Sequence, residues 1–260
     1  MRINEIAKAV EYIRNRINTD GVEYAIVLGS GLAFFTESLS EKEIIKTSDI
    51  PNFPISTVRG HSGSIVIGKL NDKKIMVLSG RVHLYEGYDY EEVVFPVNVV
   101  SELGIYKLIL TNAAGCINDN FHPGDLVLIN KGKDPLNKLE NAVEEEYLTT
   151  EKLNNKILTA AENISLELKN GRYGFMTGPT FETPAEIRIL EKLCIDIVGM
   201  STVPEIMQSL ENNIEVSAIS LITNYAAGIS EKKLSHQDVF DTARLSQKNL
   251  VELLKEVINR

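Results

Sequence analysis

The run from Gly178 to Arg188, Gly-Pro-Thr-Phe-Glu-Thr-Pro-Ala-Glu-Ile-Arg, combines residue types that could bind a planar ligand. Phe181 offers a flat apolar surface beside the carboxylate of Glu182. Thr183 followed by proline, with Glu186 three residues after it, is typical of a capped helix start. The pattern therefore predicts a carboxylate held rigidly on a turn. Taken alone, a capped helix with a core phenylalanine and a solvated glutamate explains the run as well.

A second polar run, Gly80 to Gly87, contains side chains that suit an oxyanion. Arg81 and His83 alternate, so on an extended segment both point to one face, and Tyr85 follows the same alternation. An arginine fork matches the geometry of phosphate, and histidine can add a donor. The preceding apolar residues read as a buried strand, and strand ends are where open α/β sheets bind their ligands. An exposed polar strand edge is the alternative.

Ser30 lies between two glycines after the apolar run 24–28. Backbone N–H groups in such a turn can bind an anion, and the serine adds a hydroxyl. The motif lacks the spacing of the dinucleotide fingerprint and of the phosphate loop with its lysine. No acidic residue is clearly placed about twenty residues further on to hold a ribose, which disfavours a nicotinamide-dependent enzyme.

Three further junctions place small or polar residues after an apolar strand pattern. The run 108–115 ends in Asn-Ala-Ala-Gly, where small residues let a ligand approach the backbone. Met200 and Ser201 follow the run at 195–199, and Asn224 ends the run that begins at 216. These junctions predict one polar site at one edge of a sheet.

Alternating strand and helix patterns predict an α/β fold, with a mixed central β-sheet flanked by helices on both faces. The length favours a single domain over residues 1–260. Stretch 131–148 is polar and reads as irregular. The predicted strands are 24–28, a pair around the turn at 71–72, 107–111, 173–177, 195–198 and 214–222. The predicted helices are 3–17, 31–39, one after Tyr90, 149–169, 184–193, 203–212 and 235–258, the last capped by Ser235.

Composition narrows the possible functions. The chain is 43% hydrophobic, so it can bury a large core, and its formal charge of −9 disfavours nucleic acid as a partner. Cys116 and Cys194 lack metal-ligand spacing and a disulfide framework, which fits a reducing cytoplasm. No apolar stretch is long enough to span a membrane, so no membrane partner is expected.

In order along the chain, these motifs resemble the purine nucleoside phosphorylases of the homotrimeric, low-molecular-mass type. The resemblance covers most of the chain, and its ordered set is far more specific than any single motif. The matching stretches are 29–32, 60–63, 81–87, 111–115, 178–188, 198–205, 223–224 and 234–236.

The resemblance implies cleavage of a purine nucleoside by phosphate, with no metal and no organic cofactor. It assigns His83, Glu182 and Asn224 to catalysis, with Asn224 facing N7 and O6 of a 6-oxopurine and Glu182 accepting from N1–H. The implied phosphate-binding residues are Ser30, His61, Arg81, His83, Ser201 and the backbone of Ala113. The implied nucleoside-binding residues are Tyr85, Phe181, Glu182, Met200, Asn224 and His236.

Two departures from the family pattern stand out. Ala33 replaces a third glycine, for which a mild effect is expected. Region 131–148 lacks the longer loop whose phenylalanine reaches a neighbouring subunit in relatives, and no Phe occurs between Phe121 and Phe175. The inter-subunit lid is therefore predicted to be shortened or missing. Glu86 is expected to support Arg81 or His83 rather than contact a ligand.

Three other functions stay open at this point. A 5′-methylthioadenosine phosphorylase shares the implied fold, but it typically has Asp where this chain has Asn224. A non-catalytic nucleoside-binding or phosphate-binding relative would have no reason to keep the polar set. A hydrolytic nucleosidase would have no use for a complete phosphate site.

Overall fold

The computed structural model describes residues 3–57, 63–135, 146–230 and 236–259, with side chains throughout except at 146–147 and 236–245. The strands are β1 (Tyr24–Leu28), β2 (Ser40–Lys46), β3 (Ser64–Leu70), β4 (Lys73–Ser79), β5 (Lys107–Cys116), β6 (Leu126–Lys133), β7 (Glu146–Leu148), β8 (Leu168–Phe175), β9 (Ile197–Gly199) and β10 (Glu215–Tyr225). The helices are α1 (Ile3–Arg14), α2 (Tyr90–Val93), α3 (Phe95–Glu102), α4 (Glu151–Asn163), α5 (Pro184–Lys192), α6 (Val203–Glu211) and α7 (His236–Asn259).

Strand β5 organises the sheet because three strands pair with it. β1 and β10 run parallel to it, and the short β9 runs antiparallel near its end. Pairings of β10 with β6, β6 with β8 and β8 with β9 close a ring that returns to β5. On the other side, β1 leads through β4 and β3 to the edge strand β2. The predicted mixed sheet is confirmed.

The period of two along β1 explains why helices cover both faces. Ala25 and Val27 belong to a core that contains residues of α1, α3 and α6. Tyr24, Ile26 and Leu28 belong to a separate core with residues of α4 and α7. Successive side chains of a strand point to opposite faces, so an unbroken apolar strand needs an apolar layer on each side.

Several predicted elements differ from the structure. The predicted helix 31–39 is a short 3₁₀ segment, Ala33–Ser38, and the next residues form β2. Strand β2 escaped prediction because nearly all its side chains are exposed and most are polar, so it shows no apolar alternation. Helix α4 ends at Asn163 rather than near 169, since Ser165 has φ 53° and turns the chain into β8. Region 131–148 was predicted to be irregular, but its first residues, 131–133, are the end of β6.

Across the described ranges, no helix combines the length and apolar character that crossing a bilayer requires.

Candidate active site

One cavity with a volume of about 130 Å³ lies where the strands end. It gathers most of the residues singled out from the sequence: Ser30, Arg81, His83, Tyr85, Ala113, Phe181, Glu182, Met200, Ser201 and Asn224. The convergence of separate strand ends on one site is therefore observed. Asn112, Ala114, Gly115, Val198, Gly199, Thr223 and Ala226 complete its lining, together with Gly29.

Two predicted ligand-binding histidines cannot be placed with their side chains. His61 lies outside the described residues. His236 begins α7, but its side chain is outside the described part of the chain, as is the predicted cap Ser235. Both histidine roles stay predictions, and so does the shortened lid, because most of region 131–148 is not described.

Close packing against β5 explains the Gly-Ser-Gly sequence at the end of β1. A Cβ added to Gly29 would lie 2.6 Å from the Cα of Asn112. The N–H of Gly29 donates to the Thr111 hydroxyl at 3.3 Å. Leu28, the last residue of β1, pairs with Ser79, the last residue of β4. Ser30 and Arg81 each follow two residues after these paired positions. Strand pairing thus brings the serine turn beside the arginine.

Arg81 is buried, and its guanidinium plane is fixed from two sides. Nε contacts the Glu205 carboxylate at 2.9–3.0 Å, and Nη1 donates to the carbonyl of Thr111 at 2.9 Å. Both side chains of the ion pair are nearly inaccessible, at 4% and 6% exposure. Sequence reasoning gave Glu205 no role, although Thr202 and Glu205 have the spacing of a capping box.

His83 lies against the neighbouring Glu86, as expected for a supporting carboxylate. The Nδ1 and backbone N of His83 are each 2.9 Å from Glu86 Oε1. Burial by itself would raise the pKa of Glu86, but hydrogen bonds from His83 and Thr57 lower it to about 2. Residues Leu84–Glu86 form a 3₁₀ turn, so the segment is not extended to Tyr85. Tyr85 nevertheless lines the cavity. Its ring stacks on the His83 ring, with centroids 4.7 Å apart.

Met200 and Tyr85 form a wall of the cavity that is packed around Gly178. A Cβ on Gly178 would lie 2.4 Å from Met200 Sδ and 3.0 Å from Tyr85 Cδ1, and the residue has φ 65°. Only glycine adopts that conformation without strain. The glycine of the Gly-Pro turn is therefore required by the shape of the cavity.

Glu182 and Phe181 reach the same cavity from the turn before α5. The predicted cap is confirmed, because the Thr183 side chain accepts from Glu186 N and the Glu186 carboxylate accepts from Thr183 N. Burial, and to a lesser degree the charge of Glu186, raises the pKa of Glu182. A carboxylate in a partly dry pocket is a strong acceptor for a ligand N–H. Phe181 remains 37% exposed.

Asn224 is aimed by an irregularity in β10. The register with β5 shifts between Ile222 and Asn224, which pairs with Gly115. Such bulges re-aim a side chain next to a site. The Thr223 hydroxyl donates to Asn224 Oδ1 at 2.8 Å, which orients the amide. Gly115 leaves room for it, because an added Cβ would lie 3.3 Å from Nδ2.

Within the described ranges, no three histidine, cysteine, aspartate or glutamate side chains form a group that could hold a metal ion. The absence of a cofactor stays a prediction.

Comparison with known proteins identifies the class. Residues 23–259 match the phosphorylase superfamily, and the chain belongs to that family. It is 37% identical to purine nucleoside phosphorylase 1 of Geobacillus stearothermophilus, over 99% of this chain and 98% of that protein. It is 38% identical to purine nucleoside phosphorylase of Mus musculus, over 91% of this chain and 89% of that protein.

A solved structure agrees. Isoform 2 of purine nucleoside phosphorylase from Schistosoma mansoni, in complex with cytosine and ribose-1-phosphate, superposes with a TM-score of 0.89 at 34% identity. The alignment covers 99% of this chain and 96% of that chain. The family predicted from the sequence motifs is confirmed, and the chain is an enzyme of the pentosyltransferase class.

Proposed function

We propose that the protein cleaves 6-oxopurine ribonucleosides or deoxyribonucleosides, such as inosine and guanosine, with inorganic phosphate. The products are the free base and the pentose 1-phosphate. The main support is the composition of one cavity. An arginine, a histidine and two serines line it together with a carboxylate and an amide that match a purine edge.

The register of β5 supports the spacing that this reaction needs. Ala113 belongs to the proposed phosphate site, and Gly115 pairs with Asn224. Two residues of a strand span about 7 Å. A pentose can bridge that distance between a phosphate oxygen and a purine ring. The placement of Ala113 and Gly115 on one strand supports the proposed separation of phosphate and base.

The proposed reaction transfers a pentosyl group. A phosphate oxygen forms a bond to the anomeric carbon while the glycosidic C–N bond breaks, and the bonding electron pair passes to the purine. Arg81, His83, Ser30 and Ser201 hold the phosphate in line, and Asn224 donates to N7, where negative charge accumulates. Positioning and preorganised donors are the two ways in which such a site lowers the barrier.

Glu182 and Asn224 together select the base in this proposal. The Glu182 carboxylate accepts from N1–H, which a 6-oxopurine has and a 6-aminopurine lacks. One Nδ2 hydrogen of Asn224 donates to the Tyr225 carbonyl at 3.0 Å, and the other is left to donate to N7 beside O6. In this proposal the enzyme uses no metal and no organic cofactor. It assembles as a homotrimer and is located in the cytoplasm.

The test measures hypoxanthine and ribose 1-phosphate released from inosine, with and without phosphate, against 5′-methylthioadenosine as the competing substrate. Release of both products only when phosphate is present, with inosine preferred, supports the proposal. Preference for methylthioadenosine contradicts the assigned substrate. Phosphate-independent release of free ribose indicates a hydrolase, and binding of inosine without turnover indicates a binding protein.

A further inference from the structure

A buried polar network lies directly behind the proposed phosphate site. Glu205 is its centre: one carboxylate contacts Arg81 Nε at 2.9–3.0 Å and accepts from the backbone N–H of Thr202 at 3.1 Å. Arg81 follows β4, whereas Thr202 follows β9 directly after Ser201. The carboxylate thus joins two walls of the cavity that are far apart in sequence.

Thr202 has a backbone conformation that a β-branched residue rarely adopts, with φ 78° and ψ −47°. It is fully buried. Strain of this kind persists only where surrounding contacts hold the residue in place, and it concentrates at functional sites. Thr202 is held by Glu205 through its N–H and by Asn112, whose Nδ2 donates to the Thr202 hydroxyl at 2.9 Å.

The same hydroxyl contacts Ser201, which lines the cavity. Ser201 Oγ lies 3.0 Å from Thr202 Oγ1. Asn112 is itself fixed by the Ser220 hydroxyl, which donates to its Oδ1 at 2.8 Å. The chain of contacts therefore runs from the sheet through Asn112 and Thr202 to the serine that faces the cavity.

Helix capping alone does not account for a carboxylate this deeply buried. The capping glutamates of α2 and α5, Glu92 and Glu186, do the same work at partly exposed positions. Burying an ion pair costs desolvation that hydrophobic packing would avoid. The buried Arg81–Glu205 ion pair is better explained by a need to hold the Arg81 guanidinium in one orientation.

We propose that Glu205 is a positioning residue that sets Arg81 and Ser201 together for the phosphate anion, with Thr202 as the link to Ser201. This inference rests on the proposed function for its ligand. It predicts that loss of the Glu205 charge weakens phosphate binding selectively, because neither Arg81 nor Ser201 is then held in register with the other.

The experiment is calorimetric titration of the whole protein with inorganic phosphate alone, and separately with inosine alone. Glu205→Gln keeps the shape and removes the charge. The matched control is Ser209→Ala, which removes the buried hydroxyl that donates to the Glu205 carbonyl at 2.6 Å on the same helix but does not contact Arg81. The expected result for Glu205→Gln is a phosphate Kd raised roughly tenfold or more and an inosine Kd changed less than about threefold. Ser209→Ala should leave both near wild type.

Equal weakening for both ligands, equal effects of the two variants, or an unchanged phosphate Kd in Glu205→Gln overturns the inference. If Glu205→Gln does not fold, a second pair of variants tests the inference. Thr202→Ala removes the hydroxyl that contacts Ser201, and Thr202→Ser keeps it. Weaker phosphate binding in Thr202→Ala alone supports the inference, and equal behaviour of the two overturns it. Phosphate binding needs no turnover, so a wild-type protein that binds phosphate but leaves inosine intact contradicts the proposed function and still tests Glu205.

Discussion

The Glu86 carboxylate lies 2.9 Å from both the backbone N and the ring Nδ1 of His83. Because the pKa of Glu86 is lowered to about 2, the carboxylate is ionised at neutral pH and can only accept. Nδ1 of His83 therefore carries a hydrogen and donates it to the Glu86 carboxylate. Glu86 also accepts from Thr57 N at 2.6 Å, which ties the residues before 58 to the same histidine.

Glu86→Gln should lower the free energy of unfolding by about 1–3 kcal/mol at neutral pH, because buried donors lose a charged acceptor. The folded pKa of about 2 lies below the ordinary 4.5, so the carboxylate stabilises the fold above 4.5 and loses that effect as the pH falls toward 2. The stability difference between wild type and variant should shrink over that range. Denaturant unfolding at several pH values measures it, with exposed Glu37→Gln as control. A constant difference would contradict the predicted linkage.

Arg81→Lys should weaken phosphate binding at least roughly tenfold and inosine binding much less, since one ammonium cannot replace a planar fork. Lysine is preferable to alanine here, because alanine would leave Glu205 buried and unpaired at a cost of about 3–5 kcal/mol. Separate apparent KM values for phosphate and inosine give the comparison, with exposed Arg14→Lys as control. Equal losses for both substrates would show that Arg81 does not belong to a phosphate site.

Asn224→Asp should move substrate preference from 6-oxopurine toward 6-aminopurine nucleosides. An amide that donates to N7 becomes an acceptor, which can face a 6-amino group. A mismatched buried polar partner costs about 1–3 kcal/mol, so inosine turnover should fall roughly tenfold or more. The kcat/KM ratio of inosine to adenosine measures the shift. An unchanged ratio would remove Asn224 from base recognition.

Glu182 should make nucleoside binding sensitive to acid. Burial raises its pKa, so the carboxylate becomes protonated at a higher pH than an ordinary glutamate and then is a weaker acceptor for N1–H. The inosine KM should therefore rise as the pH falls, starting at a higher pH than an ordinary glutamate would produce. Glu182→Gln should abolish this dependence with weaker binding throughout. The variant should be at least as stable as wild type at neutral pH, because the cost of the buried charge is present above the raised pKa.

Gly178→Ala should damage the nucleoside side of the site more than the phosphate side. Its Cβ would meet Met200 Sδ at 2.4 Å, and a left-handed alanine costs about 1–2 kcal/mol. The matched control is Gly104→Ala, which has φ 83° and nothing within 4 Å of the added Cβ. Both variants should lose stability through the left-handed alanine, Gly178→Ala should lose more because its Cβ also clashes, and only Gly178→Ala should raise the inosine KM. An equal inosine KM in the two variants would contradict the prediction.

Local sequence was sufficient where a pattern is completed by nearby residues. The cap of α5 is set by Thr183 and Glu186, three residues apart, and the structure has both of its hydrogen bonds. Apolar strands followed by small or polar residues likewise predicted which positions end at the cavity. These features depend on periodicity and on short-range hydrogen bonds, which a single sequence displays directly.

Tertiary structure decided the relationships that join distant segments. Arg81 and Glu205 are 124 residues apart, and no local sequence pattern indicates that their side chains are in contact. The bulge that aims Asn224 arises from its pairing with β5, and the conformation of Thr202 is imposed by Asn112 and Glu205. Strand register and buried polar contacts depend on which segments pack together. Their energy comes from long-range burial and pairing, so the sequence specifies them only through the completed fold.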